Sequence, residues 1–349
     1  MYIIIAIIIF GILITIHELG HFIAAKSVGV RVDEFSIGMG PAIFKKQKGE
    51  TLYALRALPI GGYCAMAGED EASDDPRAFT NKGFLPRLLI LCAGSAMNFL
   101  LGMVVIFTMS FMMHTVITPV IGEFMEGCPY ESEELFQTGD RFYRVDGERI
   151  RTNGDLNNAF AKGDGVYDLV MVRDGKKVEL EDVELTLREY PGYEGKKFGF
   201  IFTREEMNLS LRLSYTATQT GEFSRWVWLS LEELVHGKVK LDDMSGPVGI
   251  IDLMNTAGSG ADSAADAAFT LMYLSAFIAI NLAIMNMLPI PAMDGGRVFF
   301  LVVTLIIETV TGKKPDPKYE GYINAAGLIL LLGLMLLLLF NDTAKIIAR

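Results

Sequence analysis

Four long apolar blocks alternate with polar stretches along this chain, and their lengths predict its architecture. The blocks are residues 2–25, 86–113, about 267–307 and 322–340. A helix needs roughly 20 apolar residues to cross the hydrocarbon of a bilayer, so each block is long enough for one transmembrane helix. We therefore predict a polytopic α-helical membrane protein with about four transmembrane helices.

The third block is interrupted by residues that break helices. Its interior run from Asn286 to Gly296 contains Pro289, Pro291 and Asp294, so the block cannot be one continuous helix. Broken backbone at membrane depth is tolerated only where protein or water satisfies it. The run is therefore predicted to form one wall of a buried polar site. A plain turn between two helices is the alternative, because Pro-x-Pro followed by Asp-Gly also forms turns.

The polar segments between the blocks differ in charge. Residues 26–87 hold nine Lys and Arg residues, and the short loop 308–321 holds three lysines. Basic short loops face the cytoplasm, which predicts that both chain ends and residues 114–266 lie outside. If the third block crossed twice, the C-terminus would move to the cytosol.

Residues 51–68 of the first loop are predicted to form a β-hairpin. Thr51 to Leu58 mixes apolar and polar residues in a strand-like manner and is followed by Pro59 to Tyr63, a run with two glycines. The edge of such a hairpin could pair with an extended peptide, because strand addition uses main-chain hydrogen bonds and demands no particular sequence.

Residues 114–205 are predicted to form a small soluble domain, because charged residues are concentrated there. Short β-like runs are bounded by Gly-Asp, Asp-Gly and Lys pairs. The succession of Gln137 to Arg141, Val145 to Ile150 and a helical Asn153 to Ala161 resembles a PDZ domain, a module that receives a peptide end as an added strand. An ordinary β-rich spacer without a ligand is the alternative.

Residues 206–266 are predicted to hold an amphipathic helix of about four turns followed by a linker. Phe223, Trp226 and Leu234 recur at helical spacing, with charged residues on the other side. Trp226 and Trp228 would suit a membrane interface. Packing of the helix against the PDZ-like domain is an equally simple interpretation.

Composition narrows the classes of function. Hydrophobic residues make up 51% of the chain and charged residues 21%, which fits a membrane protein with a soluble part. The net charge of −11 argues against nucleic acid as a partner, because phosphates need a basic surface. The three cysteines are far apart, so neither a disulfide framework nor a thiolate zinc site is indicated.

The candidate chemistry lies in the first apolar block. His17, Glu18 and His21 form an HExxH motif, and no other charged residue occurs from Met1 to Ala25. Histidines four apart share a helix face, so both imidazoles can bind one Zn²⁺ at about 2.0 to 2.1 Å. Glu18 can then act as general base toward water that the metal acidifies. Polar groups at membrane depth are costly and usually functional.

Zinc needs a third protein ligand, and Asp294 is the intramembrane carboxylate that could supply it. Two alternatives stand beside this prediction. HExxH also occurs by chance on soluble helices. An N-terminal signal peptide is disfavoured, because the block has no basic start and is long for such a segment. His114 and His236 have no second ligand at metal spacing and are predicted to be non-ligands.

The chain resembles the bacterial site-2 proteases, in particular the PDZ-bearing regulator of sigma-E protease branch. The resemblance covers nearly the whole length and rests on the order and spacing of several motifs. These are His17 to His21, Phe35 to Pro41, Pro59 to Tyr63, Ala93-Gly94 with Asn98-Phe99, Ser245 to Ile250, and Asn286 to Gly296.

The resemblance implies a site and a layout. Zinc would be held by His17, His21 and Asp294, with Glu18 as catalytic base. Substrate contacts would come from four further residues, which are Asn286, Asn98, Gly61 and Gly62. Residues 51–68 would be a membrane-associated hairpin that receives substrate. Residues 1–113 and 267–349 would form the two catalytic membrane halves around the inserted PDZ-like domain.

The resemblance also implies a biology. Substrates would be single-span proteins of the bacterial cytoplasmic membrane, such as anti-sigma factors trimmed by another protease, or signal-peptide remnants. The PDZ-like domain could bind a peptide C-terminus.

Two other classes of function remain open, which are a catalytically silent membrane adaptor and a transporter. Transporters favour inverted repeats, and no internal repeat is evident here.

Overall fold

The computed structural model describes residues 2–69, 73–238, 244–312 and 317–347. The chain divides into two compact units. The first joins residues 1–109 to residues 219–349, and the second comprises residues 110–218. In chain order the elements are α1 (Tyr2–Ser27), β1 (Val32–Lys48), β2 (Thr51–Met66), α2 (Phe84–Ser110), β3 (Thr115–Phe124), β4 (Arg141–Val145), β5 (Glu148–Arg149), α3 (Asn153–Lys162), β6 (Val166–Arg173), β7 (Lys176–Glu184), β8 (Arg188–Glu189), β9 (Lys196–Lys197), β10 (Phe200–Glu206), α4 (Leu209–Val235), α5 (Pro247–Ser259), α6 (Ala264–Asn286), α7 (Asp294–Thr311) and α8 (Pro317–Ile347).

Four helices in the described part of the chain are long and apolar enough to cross a membrane. They are α1, α2, α6 and the stretch Gly321–Lys345 of α8. The predicted number of spans is therefore confirmed. The bounds of the second and fourth spans move by a few residues from the predicted 86–113 and 322–340.

The third apolar block, predicted as a span over about 267–307, is two helices, so the crossing it contains is shorter than predicted. α6 ends at Asn286 and α7 begins at Asp294, with the proline-containing segment between them. α6 alone has the length of a crossing, whereas α7 carries Asp294, Arg297 and Glu308 within 18 residues. The prediction that Asn286 to Gly296 cannot stay helical is confirmed.

Two glycines let α7 begin directly against that segment. A Cβ atom on Gly295 would stand 2.3 Å from the carbonyl oxygen of Met287, and one on Gly296 would stand 2.2 Å from that of Ile290. Real Cβ atoms do not approach so closely, because van der Waals contacts begin near 3.5 Å. The Asp-Gly-Gly sequence therefore fixes the start of α7 and the position of Asp294.

The hairpin is larger than predicted. Thr51–Met66 is one strand whose partner is Val32–Lys48, so the predicted bounds of 51–68 are wrong. Both strands bend at glycines with positive φ, namely Gly38, Gly40 and Gly61. Because of these bends, Glu34 pairs with both Leu52 and Ala65, and Phe35 with both Tyr53 and Cys64. The hairpin thus folds over on itself into a small sheet, in which residues 62–66 form an edge within the described chain.

The second unit is built on a six-stranded sheet with the order β10-β3-β4-β6-β7, in which β5 pairs with β4. Helix α3 begins at a capping box between Thr152 and Asp155, which satisfies exposed N–H groups at the helix start. The core is apolar, and its largest buried side chains include Phe136, Phe142, Leu156, Leu169 and Met171. The unit has the β-rich character predicted for residues 114–205.

Helix α4 is longer than the predicted four turns, because it already begins at Leu209. Phe223 is fully buried, and its ring lies 4.9 Å from that of Tyr273 and 5.3 Å from that of Phe277 on α6. Packing against α6 therefore buries one face of α4. The linker predicted after this helix contains α5.

Candidate metal centre

The two histidines of α1 present their rings on one side of the helix. Their Nε2 atoms are 3.1 Å apart. The Nδ1 of His21 lies 2.8 Å from the carbonyl oxygen of Ile90 on α2. When Nδ1–H donates to this carbonyl, Nε2 is left with its lone pair free, which is the usual arrangement of a metal-binding histidine.

Asp294 completes this group from the first residue of α7. Its Oδ2 lies 3.2 Å from Nε2 of His17 and 3.3 Å from Nε2 of His21. This oxygen is buried but makes no hydrogen bond, and the same is true of Nδ1 of His17. In the described residues these three are the only cluster of ligand-type side chains with atoms within 4.8 Å of one another.

The donor set fits a divalent metal ion. Two imidazole nitrogens and a carboxylate oxygen are common zinc ligands, and catalytic zinc sites use three protein ligands with one open position. A buried carboxylate oxygen without a hydrogen bond is costly unless a cation satisfies it. The structure therefore brings together all three predicted ligands.

The packing of α2 against α1 makes room for the histidines. A Cβ atom on Gly20 would stand 2.4 Å from the carbonyl oxygen of Ala93, so the two helix backbones touch there. A Cβ atom on Gly94 would stand 2.3 Å from Nε2 of His21 and 2.7 Å from Cε1 of His17. The Ala93-Gly94 pair of the sequence is thus the surface against which the imidazoles lie.

A cavity of about 310 Å³ opens beside the metal-binding group. Glu18 faces it, and residues 63–66 of the hairpin form another side. A Cβ atom on Gly62 would lie 3.5 Å from Cγ of Glu18. The full lining is His17, Glu18, His21, Tyr63, Cys64, Ala65, Met66, Glu69, Leu91, Asp294 and Arg297.

Glu69 and Arg297 form an ion pair in the wall of this cavity. The other carboxylate oxygen of Glu69 accepts a hydrogen bond from the Met66 N–H at 3.3 Å. The pair joins the end of β2 to the first turn of α7. Neither residue was predicted from the sequence, although Arg297 follows Asp294 by three positions and therefore shares its helix face.

Cys64 lines the cavity but is not part of the metal-binding cluster. Burial raises the pKa of its thiol to about 12. What excludes Cys64 from the candidate metal centre is geometry, because its sulfur is not among the ligand-type atoms that lie within 4.8 Å of one another.

The predicted substrate contacts are not all near the cavity. None of the four, which are Asn286, Asn98, Gly61 and Gly62, lines this cavity, although Gly62 lies beside Glu18. Asn98 is almost fully buried in α2, and its Oδ1 has no hydrogen bond. Asn286 is the last residue of α6. Their roles stay predictions.

Comparison with known proteins decides the family. The family model for peptidase family M50 matches residues 5–334. The chain belongs to peptidase family M50. This match, together with the zinc metalloproteases among the relatives, confirms the prediction of a zinc metalloendopeptidase and the resemblance to the site-2 proteases.

Named relatives cover almost the full length. A "Putative zinc metalloprotease" of Clostridium acetobutylicum is 39% identical over 345 residues, 97% of this chain and 96% of that protein. The zinc metalloprotease RasP of Bacillus licheniformis is 29% identical, with 97% and 98% covered. The regulator of sigma-W protease RasP of Bacillus subtilis is 27% identical, with 97% of each chain covered.

Proposed function

We propose that this protein is an intramembrane zinc metalloprotease that hydrolyses peptide bonds within transmembrane segments of single-span membrane proteins. The observation that carries the proposal is the meeting of His17, His21 and Asp294 within 4.8 Å of one another. Two of these residues lie inside a helix long and apolar enough to cross a membrane. Zinc is the metal in the names of the relatives.

The residues of the site have two different roles in hydrolysis, which are binding the ion and transferring a proton. His17, His21 and Asp294 would hold the ion, which supplies Lewis acidity that polarises a peptide carbonyl and acidifies water. Glu18 faces the cavity and would act as general base, taking the proton of the attacking water. Glu18 would then return that proton to the leaving amide nitrogen.

The edge segment 62–66 is the proposed docking strand for the substrate. Its residues Tyr63 to Met66 line the cavity, and the described strands pair with it on one side only, through β1. An extended peptide added at this edge would gain main-chain hydrogen bonds beside Glu18. The same pairing would stabilise the unwound form of a substrate helix, which exposes the bond to be cut.

The substrates and the location are part of the proposal. Regulated proteolysis of anti-sigma factors, or removal of signal-peptide remnants, agrees with the name of the Bacillus subtilis relative, a regulator of sigma-W protease. The protein would lie in the bacterial cytoplasmic membrane, with the basic residues 26–87 in the cytosol. Asn98 and Asn286 would contact the substrate.

We further propose that residues 114–205 are a PDZ-like domain on the extracytoplasmic side. The six-stranded sheet with one capped helix, α3, supports this proposal. Strand β10 is an edge strand in the described sheet, where a peptide C-terminus could be added as a further strand.

The test uses the full-length protein in proteoliposomes with a tagged single-span membrane protein lacking most of its extracytoplasmic tail. Glu18→Gln should lower the cleavage rate at least about 100-fold, the scale of general base catalysis. It should retain zinc. A chelator should stop cleavage by the wild type. Glu126→Gln, at an exposed position in the second unit, is the matched control and should cleave normally.

Two outcomes would overturn the proposal. Full activity of Glu18→Gln would remove the assigned base. Zinc binding by the wild type without cleavage of any tagged span would favour the silent adaptor.

A further inference from the structure

The segment that delivers Asp294 has an unusual backbone. Ala292, two residues before Asp294, has φ +67°, in the left-handed region that side chains with a Cβ rarely adopt. Within the segment, the Met293 N–H donates to the carbonyl oxygen of Ile290 at 3.2 Å. Such conformations persist only where the surroundings hold them in place.

Contacts with helix α8 stabilise this backbone conformation. The Oδ1 of Asn324 accepts a hydrogen bond from the Ala292 N–H at 3.3 Å. Gly327 lies three positions further, on the same face of the helix. A Cβ atom on Gly327 would stand 2.4 Å from Cβ of Pro291 and 3.1 Å from its carbonyl oxygen. The backbone of α8 therefore lies directly against the segment that precedes Asp294.

The other end of α8 is fixed as well. Asp342 is buried, and its Oδ2 accepts hydrogen bonds from the Gly246 N–H at 3.0 Å and the Gly249 N–H at 2.7 Å. These groups lie at the start of α5, a helix whose N-cap has no side-chain hydrogen bond of its own. Asn324 and Asp342 are about 27 Å apart along the helix at 1.5 Å per residue.

Through these contacts, α8 supports both the segment before Asp294 and the start of α5. Most of its surface is exposed, and it contributes no residue to the metal-binding cluster. We propose that Asn324 and Gly327 are positioning residues that set where the Asp294 carboxylate stands relative to His17 and His21. The inference rests on the proposed metal site and names residues that act on it from outside.

The experiment measures the metal site directly. Full-length protein in detergent is stripped with a chelator and titrated with Co²⁺, whose visible absorption reports ligand geometry, and then with Zn²⁺. Gly327→Ala should weaken Zn²⁺ affinity on the order of 10-fold, as loss of outer-shell support does, and change the Co²⁺ spectrum. The matched control is Gly333→Ala, because a Cβ atom there meets nothing within 4 Å.

A second pair of variants separates positioning from folding. Asn324→Ala removes the hydrogen bond to Ala292, whereas Asn324→Asp keeps an acceptor oxygen of similar shape. We expect Asn324→Ala to weaken Zn²⁺ binding and lower kcat with little change in KM or melting temperature. Asn324→Asp should restore the wild-type spectrum. This pair decides the question if Gly327→Ala does not fold.

The outcomes distinguish the two proposals. An unchanged Co²⁺ spectrum and affinity in Asn324→Ala, with stoichiometric binding by the wild type, would overturn the positioning role and leave the proposed function intact. A wild-type protein that binds neither Co²⁺ nor Zn²⁺ would overturn both.

Discussion

Gly94 lies so close to His21 that a Cβ atom on Gly94 would stand 2.3 Å from Nε2 of the imidazole. The metal-binding face of α1 therefore depends on a residue of α2 that has no side chain. The Ile90 carbonyl, one turn earlier on α2, accepts the hydrogen bond of the same ring. Helix α1 thus supplies the two imidazoles of the candidate metal centre, and α2 fixes their orientation.

Replacing Gly94 by alanine should empty the metal site. The added methyl group would displace both imidazoles, and we expect zinc content measured by plasma mass spectrometry to fall at least about 10-fold, the scale of lost ligand support. Gly221→Ala is the control, because a Cβ atom there meets nothing within 4 Å. Full zinc occupancy in Gly94→Ala would contradict this prediction, because it would mean that α1 and α2 move apart enough to accept the methyl group.

Replacing Gly62 by alanine should slow catalysis without loss of metal. The new Cβ atom would stand 2.9 Å from the Ser36 carbonyl oxygen, so the edge segment must shift beside Glu18. A displacement of about 1 Å in a catalytic site can cost up to about 100-fold in rate. Measured kcat should therefore fall while zinc content stays at the wild-type level. Unchanged kcat would argue against substrate docking at residues 62–66.

Removing the thiol of Cys64 should leave both zinc and activity in place. Cys64 lines the cavity but is outside the cluster of possible ligands. We expect Cys64→Ala to keep wild-type zinc stoichiometry and a cleavage rate within about twofold, since only a small buried volume is lost. A large drop in zinc content would place the sulfur in the metal site.

Replacing Asp342 by alanine should destabilise the fold. It would leave the N–H groups of Gly246 and Gly249 without their acceptor, a loss of about 1 to 3 kcal/mol. The melting temperature in detergent should drop, whereas Asp262→Ala, at an exposed position, should leave it unchanged. An equal melting temperature in both variants would mean that water replaces the carboxylate.

The three residues of the candidate metal centre could be predicted to come together, because their signals are local. The spacing of His17 and His21 already places them on one helix face, and the prolines around Asp294 show that the backbone breaks inside an apolar block. Ionisable groups at membrane depth are costly, so the histidines, Glu18 and Asp294 each indicate a function.

Strand β1 was not predicted, because its pattern is irregular. Gly38, Gly40 and Pro41 interrupt the alternation of apolar and polar positions, and lysines follow them. The strand is fixed instead by long-range contacts, such as the ring of Phe35 lying 5.1 Å from that of Phe22 on α1. A local pattern carries no information about such partners.

The contacts that position the candidate metal centre could not be predicted from the sequence. The contact of Gly94 with the imidazoles, the Glu69–Arg297 ion pair and the Asn324 hydrogen bond all join segments distant in sequence. Which faces of helices meet is decided by the packing of all side chains together, and a single sequence does not reveal this.

We expect His17, His21 and Asp294 to hold zinc in the purified protein. X-ray absorption at the zinc edge measures the ligands of the ion most directly. We expect nitrogen and oxygen neighbours at about 2.0 to 2.2 Å, with imidazole scattering from two rings. In Asp294→Ala one oxygen neighbour should be lost or replaced by water. A sulfur neighbour at about 2.3 Å, or no imidazole scattering, would contradict the claim.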